Sequence, residues 1–368
     1  MKHLLALGAA AVLQAGILSS SYAAAATTTT PDTTYVGYAT VTGGAGGTVV
    51  TVTDKDALIA ACQSPDPMII NVQGTIEAGS IVVSSNKTII GVDTSAYLSK
   101  SSFILKGVNN IIIKNITIHF PDLADRKSSD GDMIHILDSS YNIWIDHCEL
   151  YNMIGDCNGD GTINEKGDVP MSDVDHYDGV VDITRGSKLV TVSWCYIHDS
   201  YKTSLCGGSD KDTIDRQVTY HHNLFNHSHS RLPSYRGGTG HIFNNYYLNI
   251  GTSGVNSRMG ATLMVESNYF ENVGDGEFDE KLKMTQGPIG AYYSKEPGFY
   301  NVKDNIFVDC KGNQPKKSTT KYKPPYKYST IKTKDVPAVV SQWAGIIGKS
   351  KTLLKGDGST QNVVPAGK

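Results

Sequence analysis

The 368-residue chain carries 33 Lys and Arg against 36 Asp and Glu, a formal charge of −3 at pH 7. This balance excludes a global basic field of the kind that attracts nucleic acid, so any cationic site must be local. The hydrophobic content is only 39%, with 37 Gly and 20 Tyr, which suits a β-rich fold with many turns. The length is compatible with two average domains or with one large all-β domain.

The N-terminus is typical of a signal peptide. Lys2 and His3 precede an apolar run over residues 4–18, and small residues fill positions 20–26. The apolar run is too short to span a bilayer. We therefore predict a signal peptide at 1–26 and a secreted protein without a membrane anchor. Six Cys in an exported chain permit disulfides, whose pairing the sequence leaves open.

Short strands are predicted for most of the remaining chain. The glycines of TGGAGGTVVTVT indicate a turn into a strand, since no Gly-Lys-Ser/Thr follows to complete a phosphate loop. DKDALIAACQ predicts a short helix with Thr53 or Asp54 as its N-cap. From Met68 onward, β-branched runs such as MIINVQGTI and NNIIIKNITIHF are broken by Gly or Asn. A helical period returns only at about 336–347.

An internal repeat decides the architecture. Six segments share an apolar residue three positions before an Asn or Cys and another two positions after it: IDHCEL at Cys148, VSWCYI at Cys195, YHHNLF at Asn223, IFNNYY at Asn245, VESNYF at Asn268 and VKDNIF at Asn305. NIIIKNITI at Asn115 is a looser copy, one residue out of register. The spacings of 47, 28, 22, 23 and 37 residues indicate a unit of about 22 residues with insertions.

A unit of that size buries its apolar face only by stacking on its neighbours. We therefore predict a parallel β-helix in which the Asn side chains form a ladder and the two Cys fill two of its rungs. One β-helix domain is predicted over 27–368, with a short N-terminal capping helix and a C-terminal loop and helix packed on the coils. Stacked coils also align charged residues that are far apart in sequence: Asp132, Asp178, Asp182, Lys202, Arg231 and Arg236.

The motifs DGDMIHI, WIDHCEL, DGVVDITRGSKLVTVSWCYIHDSYK and RLPSYRGG resemble those of the secreted pectate lyases of the first polysaccharide lyase family. The resemblance covers most of the mature chain. It implies a right-handed parallel β-helix, with three sheets, and calcium-dependent β-elimination of polygalacturonate. It also implies a pairing of Cys62 with Cys157. The expected partner is pectate, with no nucleic acid and no membrane, and we expect a monomer.

By this resemblance, Asp132, Asp178 and Asp182 match the calcium ligands, and Asp130 matches a position that helps to bind further calcium once substrate is present. Three carboxylates without a soft ligand suit a hard cation such as Ca²⁺. Residues four apart on an extended strand lie about 13 Å apart, which is too far to share an ion. We therefore expect Asp178 to lie in a turn before the strand, with Gly179 allowing the bend.

The resemblance assigns the cations as well. Arg231 matches the catalytic base, and Lys202 and Arg236 match residues that bind uronate carboxylates, a task for which the bidentate fork of arginine is suited. Calcium and a cation on the substrate carboxylate would neutralise the charge that develops when the C5 proton leaves.

Three other patterns have plainer interpretations. The loop containing Asp156, Asn158 and Asp160 begins like an EF-hand but has Gly167 at position twelve, so a solvated turn is favoured over a calcium site. HHNLFNHSHS suggests zinc, but His221 and His222 on a strand would point to opposite faces. Eight lysines over 311–334 favour a solvated loop, with a basic patch for pectin as the alternative.

We therefore expect a secreted pectate lyase that yields 4,5-unsaturated oligogalacturonides. The alternatives are a pectin lyase, which lacks the calcium site, and a non-catalytic β-helix that binds polysaccharide. A polygalacturonase would need paired acids around a water, and no NTD and DD motif set is present.

Overall fold

Short strands make up most of the described chain. The computed structural model describes residues 35–119, 131–152, 177–276, 278–279 and 284–365. The strands within them are β1 (Thr48–Val52), β2 (Met68–Val72), β3 (Thr75–Val82), β4 (Lys87–Gly91), β5 (Tyr97–Lys106), β6 (Asn109–Lys114), β7 (Thr117–His119), β8 (Ile134–Leu137), β9 (Tyr141–Asp146), β10 (Glu149–Tyr151), β11 (Val181–Ile183), β12 (Lys188–Ser193), β13 (Tyr196–Lys202), β14 (Leu205–Cys206), β15 (Gln217–His221), β16 (Leu224–Ser230), β17 (Ser234–Arg236), β18 (Thr239–Phe243), β19 (Tyr246–Ile250), β20 (Val255–Arg258), β21 (Thr262–Glu266), β22 (Tyr269–Val273), β23 (Phe278–Asp279), β24 (Met284–Thr285), β25 (Ile289–Gly290), β26 (Phe299–Lys303), β27 (Ile306–Val308), β28 (Lys351–Leu354) and β29 (Thr360–Val363). The helices are α1 (Lys55–Gln63) and α2 (Val336–Trp343), and a 3-10 turn at Thr333–Asp335 precedes α2.

The strands stack as parallel ladders in two large sheets. The first sheet has the order β1-β2-β4-β6-β9-β12-β15-β18-β21-β26. The second consists of two arms that meet at β5: a first arm, β7-β10-β13-β16-β19-β22-β27, and a second arm, β8-β11-β14-β17-β20-β25, with β3 paired to β5. This topology confirms the parallel β-helix. The three expected sheets are present as three faces, two of which are continuous through β5.

The predicted asparagine ladder runs through the stacked coils. The amide Nδ2 of Asn223 donates to Oδ1 of Asn245 at 3.0 Å, Asn245 donates to Asn268 at 3.0 Å, and Asn268 donates to Asn305 at 3.1 Å. Each Oδ1 also accepts from the backbone N–H of the preceding rung, as in the 2.9 Å bond from Cys195 N to Asn223. The side chains of one repeated position therefore satisfy one another along the helix axis.

The residue before each rung turns the chain from the first sheet into the first arm. It has a left-handed backbone at Asn115 (φ 57°), His147, Trp194, His222, Asn244, Ser267 and Asp304. Asn115 is thus a corner residue, and its neighbour Ile116 takes the buried rung position. This explains why the copy at Asn115 is one residue out of register.

Aliphatic and aromatic side chains fill the inside of the coils. Phe225, Tyr247, Phe270 and Phe307 form a continuous stack with centroid distances of 5.0, 4.4 and 5.3 Å. At the N-terminal side, α1 contributes buried side chains to this core, and its N-cap is Asp54, whose Oδ1 accepts from Ala57 N at 2.9 Å. Both predicted helices are present, although α2 ends at Trp343.

Cys62 is a free thiol in this structure, and Cys157, the partner expected for it, lies outside the described residues. It is fully buried on the core side of α1, and burial raises its pKa to about 12. Cys148 and Cys195 are also buried free thiols, in the two rungs expected for them.

Several predictions lie outside the described residues: the signal peptide at 1–26, Asp130, Cys157, and the loop with Asp156, Asn158 and Asp160. Within the described ranges, no helix has the length and apolar character that crossing a bilayer requires.

Candidate active site

The second arm carries an open cavity of about 780 Å³. Its lining includes the six charged residues that the repeat was expected to align: Asp132, Asp178, Asp182, Lys202, Arg231 and Arg236. Asp132 precedes β8, Asp178 precedes β11, Lys202 ends β13, and Arg231 precedes β17. Residues more than a hundred positions apart in sequence are thus brought together by coil stacking.

The carboxylates approach one another because the chain bends before β11. The bends fall at Tyr177 and Val180, so the strand begins only at Val181. A Cβ on Gly179 would lie 2.2 Å from Oδ1 of Asp182, so a side chain there is incompatible with the position of this carboxylate. The N–H of Gly179 donates to Oδ1 of Asp132 at 2.9 Å. The expected bend therefore exists, and the absence of a side chain at Gly179 leaves room for the carboxylate of Asp182.

Burial and like charge shape the titration of the carboxylates. Burial, followed by the negative charge of Asp178, raises the pKa of Asp132 to about 7, against the opposing hydrogen bond from Gly179. Burial and the charge of Asp132 raise the pKa of Asp182 well above its ordinary range, against the positive charge of Arg231. Carboxylates held this close retain protons unless a cation neutralises them.

The oxygens of the three carboxylates fit a hard divalent cation such as Ca²⁺. Among the described residues, however, no three His, Cys, Asp or Glu side chains are already arranged as metal ligands. One oxygen of Asp132 accepts a hydrogen bond from the backbone N–H of Gly179, and one oxygen of Asp182 accepts a hydrogen bond from that of Leu205. The Oδ2 of Asp132 also lies 3.1 Å from Nδ1 of His135.

The cations differ in how firmly they are held. Nζ of Lys202 lies 3.5 Å from Oδ1 of Asp178. Arg236 donates from Nε to Asp210 at 3.0 Å and from Nη1 to the carbonyl of Gly207 at 2.8 Å, and its Nη2 makes no hydrogen bond with the described residues. In contrast, the guanidinium of Arg231 has neither a hydrogen bond nor an ion pair with the residues described, and its backbone is left-handed (φ 63°).

Sequence reasoning missed the loop that carries Asp210. The fully buried Arg216 donates to Oδ1 of Asp212 at 2.8 Å and to the carbonyl of Arg236 at 2.9 Å. Asp212 also accepts from the backbone N–H of Arg185 at 2.7 Å. These hydrogen bonds from Arg216 and Arg185 hold the loop in place. It has no counterpart in the repeat, so no periodic signal could have revealed it.

Arg258 was also missed, although a signal existed. It follows Arg236 by 22 residues, the length of one coil, and the two are register partners on β17 and β20. Its Nη2 lies 3.7 Å from Oδ1 of Asp210. Burial, and then the charge of Arg236, lowers the pKa of Arg258 to about 10.

His221 and His222 do not point to opposite faces, so the prediction made for their side chains was wrong. The left-handed backbone at His222 (φ 55°) turns the two rings toward each other, and their Nδ1 atoms lie 2.8 Å apart. Burial lowers the pKa of both rings, to about 4 for His221. The pair lies at a coil corner, where it stacks against Trp194 and Phe243.

The known proteins to which this chain is similar include pectate lyases. The pectate lyase family model matches residues 1–350. A pectate trisaccharide-lyase from Bacillus licheniformis is 38% identical over 315 residues, 83% of each chain. A pectate lyase from Bacillus sp. N165, solved in complex with trigalacturonate, has a TM-score of 0.75 and 34% identity, covering 85% of this chain and 98% of that one. Pectate lyase C from Erwinia chrysanthemi, solved at pH 9.5 with Ca²⁺, has a TM-score of 0.63 and 26% identity, covering 84% and 96%.

Proposed function

This chain belongs to the pectate lyase family, and from that membership we propose that it cleaves de-esterified polygalacturonate by calcium-dependent β-elimination, giving 4,5-unsaturated oligogalacturonides. The observation that carries the proposal is the convergence of the three predicted carboxylates and the three predicted cations on one open cavity. Carboxylates that hold a metal, beside cations that hold uronate groups, suit a polyanionic substrate.

Asp132, Asp178 and Asp182 are the proposed calcium ligands, with Asp130 as a further ligand in the presence of substrate. A bound calcium ion supplies positive charge that stabilises the substrate carboxylate as its α-proton is lost. The raised pKa values of Asp132 and Asp182 support this assignment, because they reflect burial together with a repulsion between carboxylates, and a bound cation would offset both.

Arg231 is the proposed base. β-Elimination removes the C5 proton of a galacturonate, moves the electron pair into a new C4–C5 double bond and expels the C4 oxygen, which takes a proton from solvent. An arginine side chain accepts a proton only when it is a neutral guanidine, and neighbouring positive charge favours this neutral form. The lack of any hydrogen bond or ion pair at the Arg231 side chain, among the residues described, supports its availability for this step.

Lys202 and Arg236 are the proposed carboxylate-binding residues. Arg236 is oriented by Asp210 and Gly207 before substrate arrives, so less conformational entropy is lost on binding. Lys202 is a point charge on a flexible chain and suits a carboxylate whose position changes during the reaction.

The test is an absorbance assay with polygalacturonate and Ca²⁺. We expect ultraviolet absorbance from unsaturated uronides, its abolition by a chelator, and a loss of at least ~10²-fold in kcat for Arg231→Lys, the range expected for a general base. New reducing ends without that absorbance would mean hydrolysis. Chelator-resistant cleavage of methylated pectin would mean a pectin lyase, and binding without products a non-catalytic module.

We further propose that residues 1–26 direct secretion and that 27–368 act as one monomeric β-helix domain. Support comes from the composition of the N-terminus and from residues Pro31–Lys368 forming one compact unit.

A further inference from the structure

A second strongly charged surface lies on another face of the coils. The segment 316–335 crosses the outer side of the ten-stranded sheet and has seven lysines against one acidic residue, Asp335. All seven lysines are exposed. We call this set the lysine strip: Lys316, Lys317, Lys321, Lys323, Lys327, Lys332 and Lys334.

The backbone beneath the lysine strip is held in place by tyrosines. The hydroxyl of Tyr326 lies 2.7 Å from Thr219 Oγ1 and 2.8 Å from His241 Nδ1, on two neighbouring strands. Tyr328 donates to Oε1 of Glu266 at 2.6 Å. Inward tyrosines therefore alternate with outward lysines, and the segment is fixed on the sheet.

The anchoring continues at both ends of the segment. Asn301 donates to the carbonyl of Tyr322 at 2.9 Å, and the N–H of Ile331 donates to Asn244 at 2.9 Å. Between them, Pro324 is buried and Pro325 restricts the chain further. The lysines are thus presented from a scaffold that is already ordered.

No carboxylate within the described residues pairs with the lysine strip. None of its side-chain nitrogens takes part in an ion pair or a hydrogen bond there. The whole chain has a formal charge of −3, so this concentration of positive charge is local. Like charges in a row attract a polyanion by long-range, salt-sensitive interactions.

We propose that the lysine strip is a docking surface for an acidic polysaccharide chain, separate from the active-site cavity. The occupant is a further stretch of polygalacturonate, and this identification rests on the proposed function. Lysines supply point charges without bidentate geometry, which suits retention of a polymer in many positions. Weak attachment at a second surface raises the effective concentration of polymer at the cavity.

The test compares two triple variants of the full chain. Lys321→Gln/Lys323→Gln/Lys327→Gln removes charge from the centre of the strip, and Lys55→Gln/Lys106→Gln/Lys295→Gln removes the same charge from exposed positions elsewhere. Retention on immobilised polygalacturonate is measured with a chelator present, so that the calcium-dependent reaction does not contribute. We expect the strip variant to lose at least fivefold in affinity at low salt, and the control variant less than twofold.

Two further measurements separate the proposals. Cleavage of short oligogalacturonates should be unchanged in the strip variant, whereas cleavage of the polymer should have a higher KM. Equal retention of the two variants on polygalacturonate would overturn the docking surface. Binding to anionic vesicles is measured in parallel, and a strip variant that lost affinity for the vesicles alone would also overturn it. Absence of uronide products from every protein, with retention still dependent on the strip, would overturn the lyase assignment alone.

Discussion

At the scale of single residues, two arginines of similar chemistry have different surroundings. Nε and Nη1 of Arg236 donate to Asp210 and Gly207. The guanidinium of Arg231, in contrast, has no hydrogen bond or ion pair with the described residues. A guanidinium that is hydrogen-bonded to the protein is oriented for a carboxylate in a fixed position, whereas a guanidinium without such bonds can reorient toward the proton that is removed. These environments support the proposed division of roles, with Arg231 as the base and Arg236 as a carboxylate-binding residue.

Asp210 is predicted to position Arg236. Asp210→Ala removes the acceptor for Nε, and we expect kcat/KM on polygalacturonate to fall about tenfold, a loss of ~1.4 kcal/mol. Asp210→Asn retains an oxygen that can accept this bond, so kcat/KM should stay within about threefold of wild type. The measurement is initial-rate kinetics, and equal rates for all three proteins would contradict the role.

The raised pKa of Asp132 predicts that calcium affinity depends on pH. Burial and the charge of Asp178 raise the pKa of Asp132 to about 7, so we expect a calcium ion that binds at pH 6 to displace a proton. We expect the apparent affinity for calcium alone to fall as the pH drops from 8 to 6. Calorimetry in two buffers of different ionisation enthalpy should detect proton release at pH 6 and much less at pH 9. Pure calcium binding without proton release at pH 6 would contradict the assigned ligand.

At the scale of the repeated element, the asparagine ladder stabilises the stacking of coils. Asn245 exchanges hydrogen bonds with Asn223, Asn268 and the carbonyl of Tyr220, and all are fully buried. Asn305 ends the ladder and is only partly buried. Loss of a middle rung leaves buried donors and acceptors without partners, whereas water can reach the last one.

Asn245→Ala should therefore destabilise the protein by ~3 kcal/mol, since several buried polar groups lose their partners at once. Asn305→Ala, the matched control at the end of the ladder, should cost only about 1 kcal/mol. Urea unfolding followed by circular dichroism gives both values. Equal midpoints for the two variants would mean that the ladder contributes no more inside than at its edge.

The ladder also illustrates what sequence could predict. Rungs recur at one position of a periodic unit, so Asn223, Asn245 and Asn268 were predictable, and so was the alignment of Asp132 with Arg231. Asp210 and Arg216 lie in an insertion without a period, so their contacts were not. The meeting of His221 with His222 depends on a left-handed residue, a backbone state that the strand-like pattern does not indicate. The burial of Cys62 as a free thiol likewise depends on how α1 lies on the coils.

At the scale of the whole molecule, the C-terminal segment closes the outer side of the first arm. A second, smaller core forms there between the arm and α2, from Tyr196, Leu224, Tyr246, Leu248, Val336, Val340, Ala344 and Leu353. Beyond α2, the N–H of Ile347 donates to Asn115 at 2.8 Å, and Tyr196 donates to the carbonyl of Thr352 at 3.1 Å. Coils that are not adjacent along the axis are thus joined by one segment.

The C-terminal segment contains an ion pair that makes the stability of the fold dependent on pH. Glu149 on β10 pairs with Lys349 of the C-terminal segment and also approaches His198. Burial raises the pKa of Glu149, but the charges of His198 and Lys349, together with the hydrogen bond from Lys349, outweigh it and lower the pKa to about 2. Because this value lies below that of an unfolded glutamate, the pair stabilises the fold above about pH 4.5, and the stabilisation is lost as the pH falls toward 2.

Lys349→Met should therefore destabilise the protein by ~1–2 kcal/mol at pH 7, with a difference from wild type that shrinks toward zero between pH 4 and pH 2. Lys355→Met, in the turn between β28 and β29, has no ion pair within the described chain and serves as the control. Thermal unfolding at pH 7, 4 and 2.5 measures the difference. A penalty that persists unchanged at pH 2.5 would mean that Lys349 acts through the packing of its side chain and not through the charge of Glu149.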